Sequence, residues 1–546
     1  MPEFPDVLTG RLDAAIGAGV EAAVVAKHAS RLRRLEWSRA LDPTGPGTWA
    51  QGEPPPREGC ALDVLIDGQE AMAAIAEAIA SAREFVHITG WHFAAEFELV
   101  RGEPSAVLGA LLAEAAERID VRVLAWAGAP VPVFHPSRAE VREGVARLVR
   151  QTKIRCELDP REHPFHCHHE KTLVIDGRVA FVGGIDMTDL GGDRNDSCDH
   201  PARRRLGWHD VGTRLRGPAV ADVGAHFALR WRELTGETVP EPPPPAPCGE
   251  HTVQVVRTVS EVMYDSLPRG DFRILESYSR ALRSAREFVY LENQFLWAPE
   301  IVELLAAKLR DPPQETFRLV VVLPSKANNG QDDTQGQLGR LVAADGGAGR
   351  LLAATLRSLT GTRDDPLYVH AKVGIVDDRW LTVGSANLNA HSLLNDTEMN
   401  VCTDHPELAR RTRACGPSTS TRIRKRSPAG PSRRSSTSCG GRSPPSSCAG
   451  AWLASHPLIT YSRCRASPVA LGGCSGRCKV SSTTAEPPAS ARRATRGRAT
   501  TREKVKRLRF QGSKSRRRDR LVQRSRSRTR PTMSPRARRL DQGQHQ

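Results

Sequence analysis

The chain has 546 residues, enough for two or three domains around a large core, and a formal net charge of +17. That charge is split: residues 414–546 carry 32 Lys+Arg against 4 Asp+Glu, which leaves 47 against 58, a net of −11, for residues 1–413. The basic isoelectric point therefore says nothing about the ligand of the acidic body, and with no run of 18 consecutive apolar residues a membrane span is not expected.

In chain order, residues 1–60 read as an Ala-rich amphipathic helix ending near "RLRRLEW", then a Pro- and Gly-rich loop. The helix is expected to pack on the body. An acid at position 3 and charges interrupting every apolar run argue against a secretory signal, so a cytoplasmic protein is expected. The body cysteines (Cys60, Cys156, Cys167, Cys198, Cys248 and Cys402) form no paired CxxC sets and read as scattered reduced thiols.

The body repeats itself. "AMAAIAEAIASAREFVHITGWHF" (from Ala71) has a counterpart in "ILESYSRALRSAREFVYLENQFL" (from Ile274), each a helix pattern running through Ser-Ala-Arg-Glu-Phe-Val into a short strand. A second helix and strand follow in each copy, then a strand holding His-x-Lys-x4-Asp, "HEKTLVID" and "HAKVGIVD". Ser81 lies 88 residues before His169, and Ser284 lies 86 before His370. Alternating helices and strands predict an α/β fold: two tandem α-β-α sandwich repeats, over residues 61–245 and 251–410, joined by the stiff linker "VPEPPPPAP". Residues 411–546, rich in Arg, Ser and Pro and poor in large apolar residues, are expected to form a disordered basic tail. The abrupt loss of pattern there is also what an out-of-frame reading of a GC-rich gene produces; translating the DNA in the other two frames separates the two readings.

Residues two apart on a strand share a face, so each motif projects an imidazole and an ammonium together. Lysine offers charge and donors to phosphate oxygens, and histidine can act as nucleophile or as acid and base near neutral pH. Seven residues beyond Asp176 and Asp377 stand "GGID" and "GSANLN". Gly183, Gly184, Gly384 and Ser385 would let backbone approach an anion, and Ser385 and Asn387 can donate hydrogen bonds. In the first copy Asp186 stands where the second has Asn387, which weakens phosphate donation on that side. The crowded "HPFHCHHEK" puts His163, His166, Cys167 and His168 beside His169, but loop histidines flanking an active site are the better reading, and no metal or cofactor is expected.

The duplicated HxKx4D motif with downstream G-[GS]-x-N resembles the phospholipase D superfamily over roughly residues 61–408, and "YLENQF" resembles its phosphatidylcholine-hydrolysing, eukaryotic-type branch. The resemblance implies a pseudo-twofold site in which His169 attacks phosphorus to form a phosphohistidine, His370 protonates the leaving alcohol, and Lys171 and Lys372 hold the non-bridging oxygens. It also implies orienting carboxylates, Asp210 in "WHDVG" for the first half and Glu398, with Asp396 as the alternative, in "LLNDTEMNV" for the second. Asp176 and Asp377 are expected to anchor their turns rather than touch phosphate, and Trp91, Asn293 and Gln294 to form the cleft lip. The implied activity is hydrolysis or transphosphatidylation of phospholipids by a monomer in peripheral contact with a membrane. A cardiolipin-synthase-like transferase, a phosphodiesterase nuclease and an inactive scaffold are the alternatives. Nucleic acid is not expected to bind the body, although the tail could bind it through charge.

Overall fold

A computed structural model describes residues 4–415 except 103, 132–134, 163–165, 191, 194–206, 240, 327–329 and 359–364, and no side chains before residue 19 or at 331, 332, 358, 365, 414 and 415. The expectations for the tail beyond residue 415, for His163 and for Cys198 lie outside the described residues.

The duplication is visible strand by strand. In the first half, strands run in the order Arg57–Ile66, Val211–Arg216, Val179–Gly183, Thr172–Ile175, Phe85–Gly90, Asp120–Trp126 and Arg155–Asp159. The second half repeats that order with His251–Val259, Glu398–Thr403, Trp380–Gly384, Val373–Val376, Phe288–Glu292, Arg318–Val322 and Leu351–Ala354. The last three strands of each series pair in parallel and the others antiparallel. Parallel strands are covered on both faces, which explains apolar runs such as "RLVVV" and "VRVLAW". Arg57–Ile66 and His251–Val259 meet antiparallel at Arg57–Val253 and Cys60–His251, so the two sheets are continuous.

Each half buries its own helices. Met72, Ile75 and Ile79 of the helix Asp67–Ala80 join Leu108 and Leu112 against the first sheet; Leu275, Tyr278 and Leu282 of the helix Arg273–Ser284 join Ile301 and Leu305 against the second. A third apolar cluster draws on both halves, including Val182 and Leu215 from one and Val383 and Val401 from the other. At ~25 cal/mol per Å² of buried apolar surface, this shared core fixes the halves against one another. The N-terminal helix Phe4–Arg34 packs on the second half rather than the adjacent first: Leu32 is fully buried there, and Arg31 donates to Glu261 at 2.9 Å and to Asn395 at 2.8 Å. At the other end, the helix Pro406–Cys415 runs through the sequence-predicted boundary at 410. No helix among the described residues is long and apolar enough to cross a membrane.

Candidate active site

Both HxK motifs sit on extended chain just ahead of their strands, and each lead-in is paired with the opposite half. The amides of His169 and Glu170 donate to the carbonyl of Thr397, both at 2.9 Å; those of His370 and Ala371 donate to the carbonyl of His209 at 2.8 and 3.2 Å. This exchange brings a carboxylate from one half to the histidine of the other. Nδ1 of His169 lies 3.1 and 3.2 Å from the two oxygens of Glu398, and Nδ1 of His370 lies 2.6 Å from Oδ2 of Asp210. The expected assignment of one carboxylate to the histidine of its own half is therefore corrected: the pairs are crossed, because each motif's neighbour strand segment comes from the partner half.

Both histidines line one cavity of about 720 Å³, and Nδ1 of each is engaged by a carboxylate. The lysines are buried at 7% and 0% exposure and each donates to the carbonyl of its own motif's histidine. Lys171 also lies 3.4 Å from Asp186, whereas Lys372 donates to the neutral Gln294 at 3.2 Å.

These surroundings set protonation. Burial, then the charges of Lys171 and Lys372, hold His169 well below the usual imidazole range. Burial pushes Glu398 well above the carboxylate range, with Asp396 adding to it, and pushes Asp210 up to about 6 against the pull of Lys372. Burial also lowers Lys372 to about 7.

The remaining expected site residues divide. Asn387, Trp91 and Gln294 line the cavity, where Gln294 also donates to Tyr368 at 3.0 Å and Trp91 stacks on Trp126 with ring centroids 6.1 Å apart. Asn293 does not form the lip: it is fully buried and its Oδ1 accepts from the amides of Phe295 and Leu388, clamping the turn that follows its strand. Asp176 accepts from the amides of Arg83, Glu84 and Phe85, and Asp377 from those of Arg286, Glu287 and Phe288. Both adopt a φ of +52° and tie the motif strand to its neighbour, so they stand as anchors away from the cavity.

The glycines have a reason different from the one their spacing suggests. A Cβ on Gly184 would lie 2.3 Å from Oδ1 of Asp210, one on Gly183 2.6 Å from the Gly212 backbone, and one on Gly384 2.1 Å from Oδ1 of Asn400. They make room for the orienting carboxylate and its strand rather than for phosphate. The hydroxyl of Ser385 donates to Glu398 and accepts from the amide of Met399 at 3.1 Å, so it supports the carboxylate as well.

The sequence matches two family models, one described as Phospholipase D over residues 78–207 and one as Cardiolipin synthase, PLD-like domain, over residues 278–414. The chain belongs to the phospholipase D superfamily. It is 26% identical to Phospholipase D A of Dictyostelium discoideum over 421 residues (63% of this chain, 33% of that protein). It is 25% identical to Phospholipase D alpha 4 of Arabidopsis thaliana (62% and 61%) and 25% identical to Phospholipase D2 of Bos taurus (65% and 50%). The chain thus spans between a third and three fifths of the length of these relatives.

Several residues of this superfamily member escaped sequence reasoning. His209, next to Asp210, is buried between Asp67 at 2.7 Å and Glu292 at 2.8 Å. Burial alone would lower it, but the two carboxylates outweigh that and hold it well above the usual range, so it acts as a buried cationic strut. Behind the first motif, Glu170 joins His226 at 2.7 Å and Arg230, which reaches Asp159 at 2.8 Å. His168 turns into this network, with Nδ1 2.8 Å from Thr397 and Nε2 3.3 Å from Asp159.

Proposed function

We propose that the protein is a phospholipase D-type phosphodiesterase that cleaves a phospholipid headgroup bond by two-step exchange through a phosphohistidine. The observation that carries this reading is the crossed pair of imidazoles, each oriented at Nδ1 by a carboxylate of the other half and each facing one cavity.

In the first step Nε2 of His169, neutral because of burial and the adjacent lysines, attacks phosphorus. The bond to the headgroup oxygen breaks as His370 donates its Nε2 proton to that oxygen. Lys171 and Lys372 compensate the charge on the non-bridging oxygens. In the second step His370, now neutral, takes a proton from water or an alcohol, whose oxygen displaces His169 from phosphorus. When His169 is phosphorylated, its Nδ1 contact with Glu398 keeps the ring oriented. A large cavity with the aromatic walls Trp91, Trp126 and Trp208 suits a headgroup and glycerol backbone at a membrane surface.

Incubating the full chain with phosphatidylcholine vesicles and ethanol tests the reading. Phosphatidylethanol should form and should vanish in His169→Ala. Cleavage of DNA with no lipid turnover would overturn the substrate class.

A further inference from the structure

The cavity wall carries a second cluster of donor atoms that the proposed two-step exchange does not use. His166, from the loop before the first motif, meets His391, from the short helix Ala390–Leu394 of the second half; their Nδ1 atoms are 2.8 Å apart. Asp396 places Oδ1 3.4 Å from Nδ1 of His166, and all three donor atoms lie within 4.8 Å of one another. All three residues line the cavity that contains His169.

We propose that His166, His391 and Asp396 form a binding site for a borderline divalent transition ion such as Zn2+, with its open coordination position facing the cavity.

Zinc takes nitrogen at about 2.0–2.1 Å and carboxylate oxygen at about 2.0–2.2 Å, which spaces neighbouring tetrahedral ligands by roughly 3.3–3.5 Å. The His166–Asp396 separation already matches, and the two imidazoles need to part by about half an ångström. Two imidazoles and one carboxylate suit zinc, cobalt or nickel over calcium or magnesium. The carboxylate is held in place, since Oδ1 of Asp396 also accepts the amide of Cys167 at 2.9 Å, and Asp396 is only 6% exposed. Trp297 packs edge-on against His391 with centroids 5.3 Å apart, fixing that ring. The ligands come from both halves, so an ion here would also pin the seam that positions His169.

The sulfur of Cys167 is not in the cluster and His168 is engaged elsewhere, so the site differs from the contiguous histidine–cysteine set that "HPFHCHH" suggests. Glu250, His251 and His405 form a second, more exposed convergence of donors and supply the control.

Titration of the chelator-stripped full chain with Co2+ tests the proposal. The wild type should show the visible absorption of a four-coordinate nitrogen–oxygen site, saturating at one equivalent. His391→Ala and His166→Gln should each lose that band or weaken binding at least tenfold, with melting temperatures unchanged without metal, while His405→Ala keeps it. Binding that is absent in the wild type, or unaltered in both variants, would reduce the cluster to a hydrogen-bonded relay and overturn the proposal. A thiolate charge-transfer band that accounts for all the bound cobalt would do the same by placing the ion on cysteine. No step of the exchange passes through this ion, so lipid turnover that survives chelation leaves the proposal standing, and failure of cobalt binding leaves the phosphodiesterase reading standing.

Discussion

If His370 is the acid and His169 the nucleophile, removing the acid should matter only when the leaving group needs a proton. Position 370 therefore offers a test that distinguishes the two imidazoles, which their similar surroundings otherwise make hard to separate. For phosphatidylcholine the headgroup leaves as an alkoxide unless protonated, and general acid catalysis contributes about 10²–10⁴-fold. His370→Ala should lose that factor. For a phosphatidyl ester of p-nitrophenol the leaving group departs as a stable anion, and the first step should survive in His370→Ala within about tenfold.

Asp210→Asn gives the intermediate case. The bond from His370 to Asp210 is 2.6 Å long and buried, and a hydrogen bond to a charged group contributes roughly 1.5–3 kcal/mol, or about 10- to 150-fold in rate. That loss should appear with choline as leaving group and shrink with p-nitrophenolate. Because His370 also serves as base in the second step, rapid-quench assays of His370→Ala should show a burst of p-nitrophenolate near one equivalent and an acid-labile phosphoenzyme. His169→Ala should give neither. A burst in His169→Ala but not in His370→Ala would reverse the roles, and equal loss with both leaving groups in His370→Ala would refute the acid assignment.

Three further outcomes follow from particular contacts. Gly184→Ala should displace Asp210, because the new Cβ would fall 2.3 Å from its Oδ1; kcat is expected to drop at least tenfold with KM little changed, and stability by about 1–3 kcal/mol, measured by steady-state kinetics and urea titration. Lys372, held at about 7 by burial, carries its charge below that pH and loses it above; calorimetry should show sulfate binding weaken as pH rises through about 7, and that slope should vanish in Lys372→Met. Arg230→Met leaves the carboxylates of Asp159 and Glu170 buried without their cation and should cost about 3–5 kcal/mol in chemical denaturation; a loss below 1 kcal/mol would show that His226 and Tyr264 suffice.

What the sequence conveyed and what it withheld separate along a physical line. The two copies of "SAREF" were legible as repeats, and their purpose is local: their backbone amides bind Asp176 and Asp377, the last residues of the HxKx4D motifs. The first strand, the second strand and the motif strand of each half were legible as apolar runs spaced by helical patterns, which is also short-range information, whereas the order of all seven strands in the sheet was not. Contacts across the seam had no such signal. Glu398 is 229 positions from His169 and Asp210 is 160 from His370, and nothing near any of them says which pairs with which. The turn clamp of Asn293 and the strut of His209 depend on backbone atoms and carboxylates brought in by tertiary packing. The glycines were legible as positions that need closeness, but not as to what comes close.

A duplicated fold gives two equivalent half-sites, whereas the exchange needs two unequal imidazoles, and the inequality traces to a few substitutions between the copies. Asp186 and Asn387 occupy matching positions ten residues beyond Asp176 and Asp377. Lys171 therefore faces a carboxylate at 3.4 Å, while Lys372 donates to the amide oxygen of Gln294, the residue that matches Trp91, and to the carbonyl of His370. Burial outweighs the nearby charge of Asp210 and holds Lys372 at about 7. A phosphate oxygen beside it raises its proton affinity, so charge compensation grows as the anion arrives. Both lysines meanwhile bear on His169 and favour its neutral form. Under the proposed exchange, one half would thus supply an uncharged nucleophile and the other a cation that strengthens on binding.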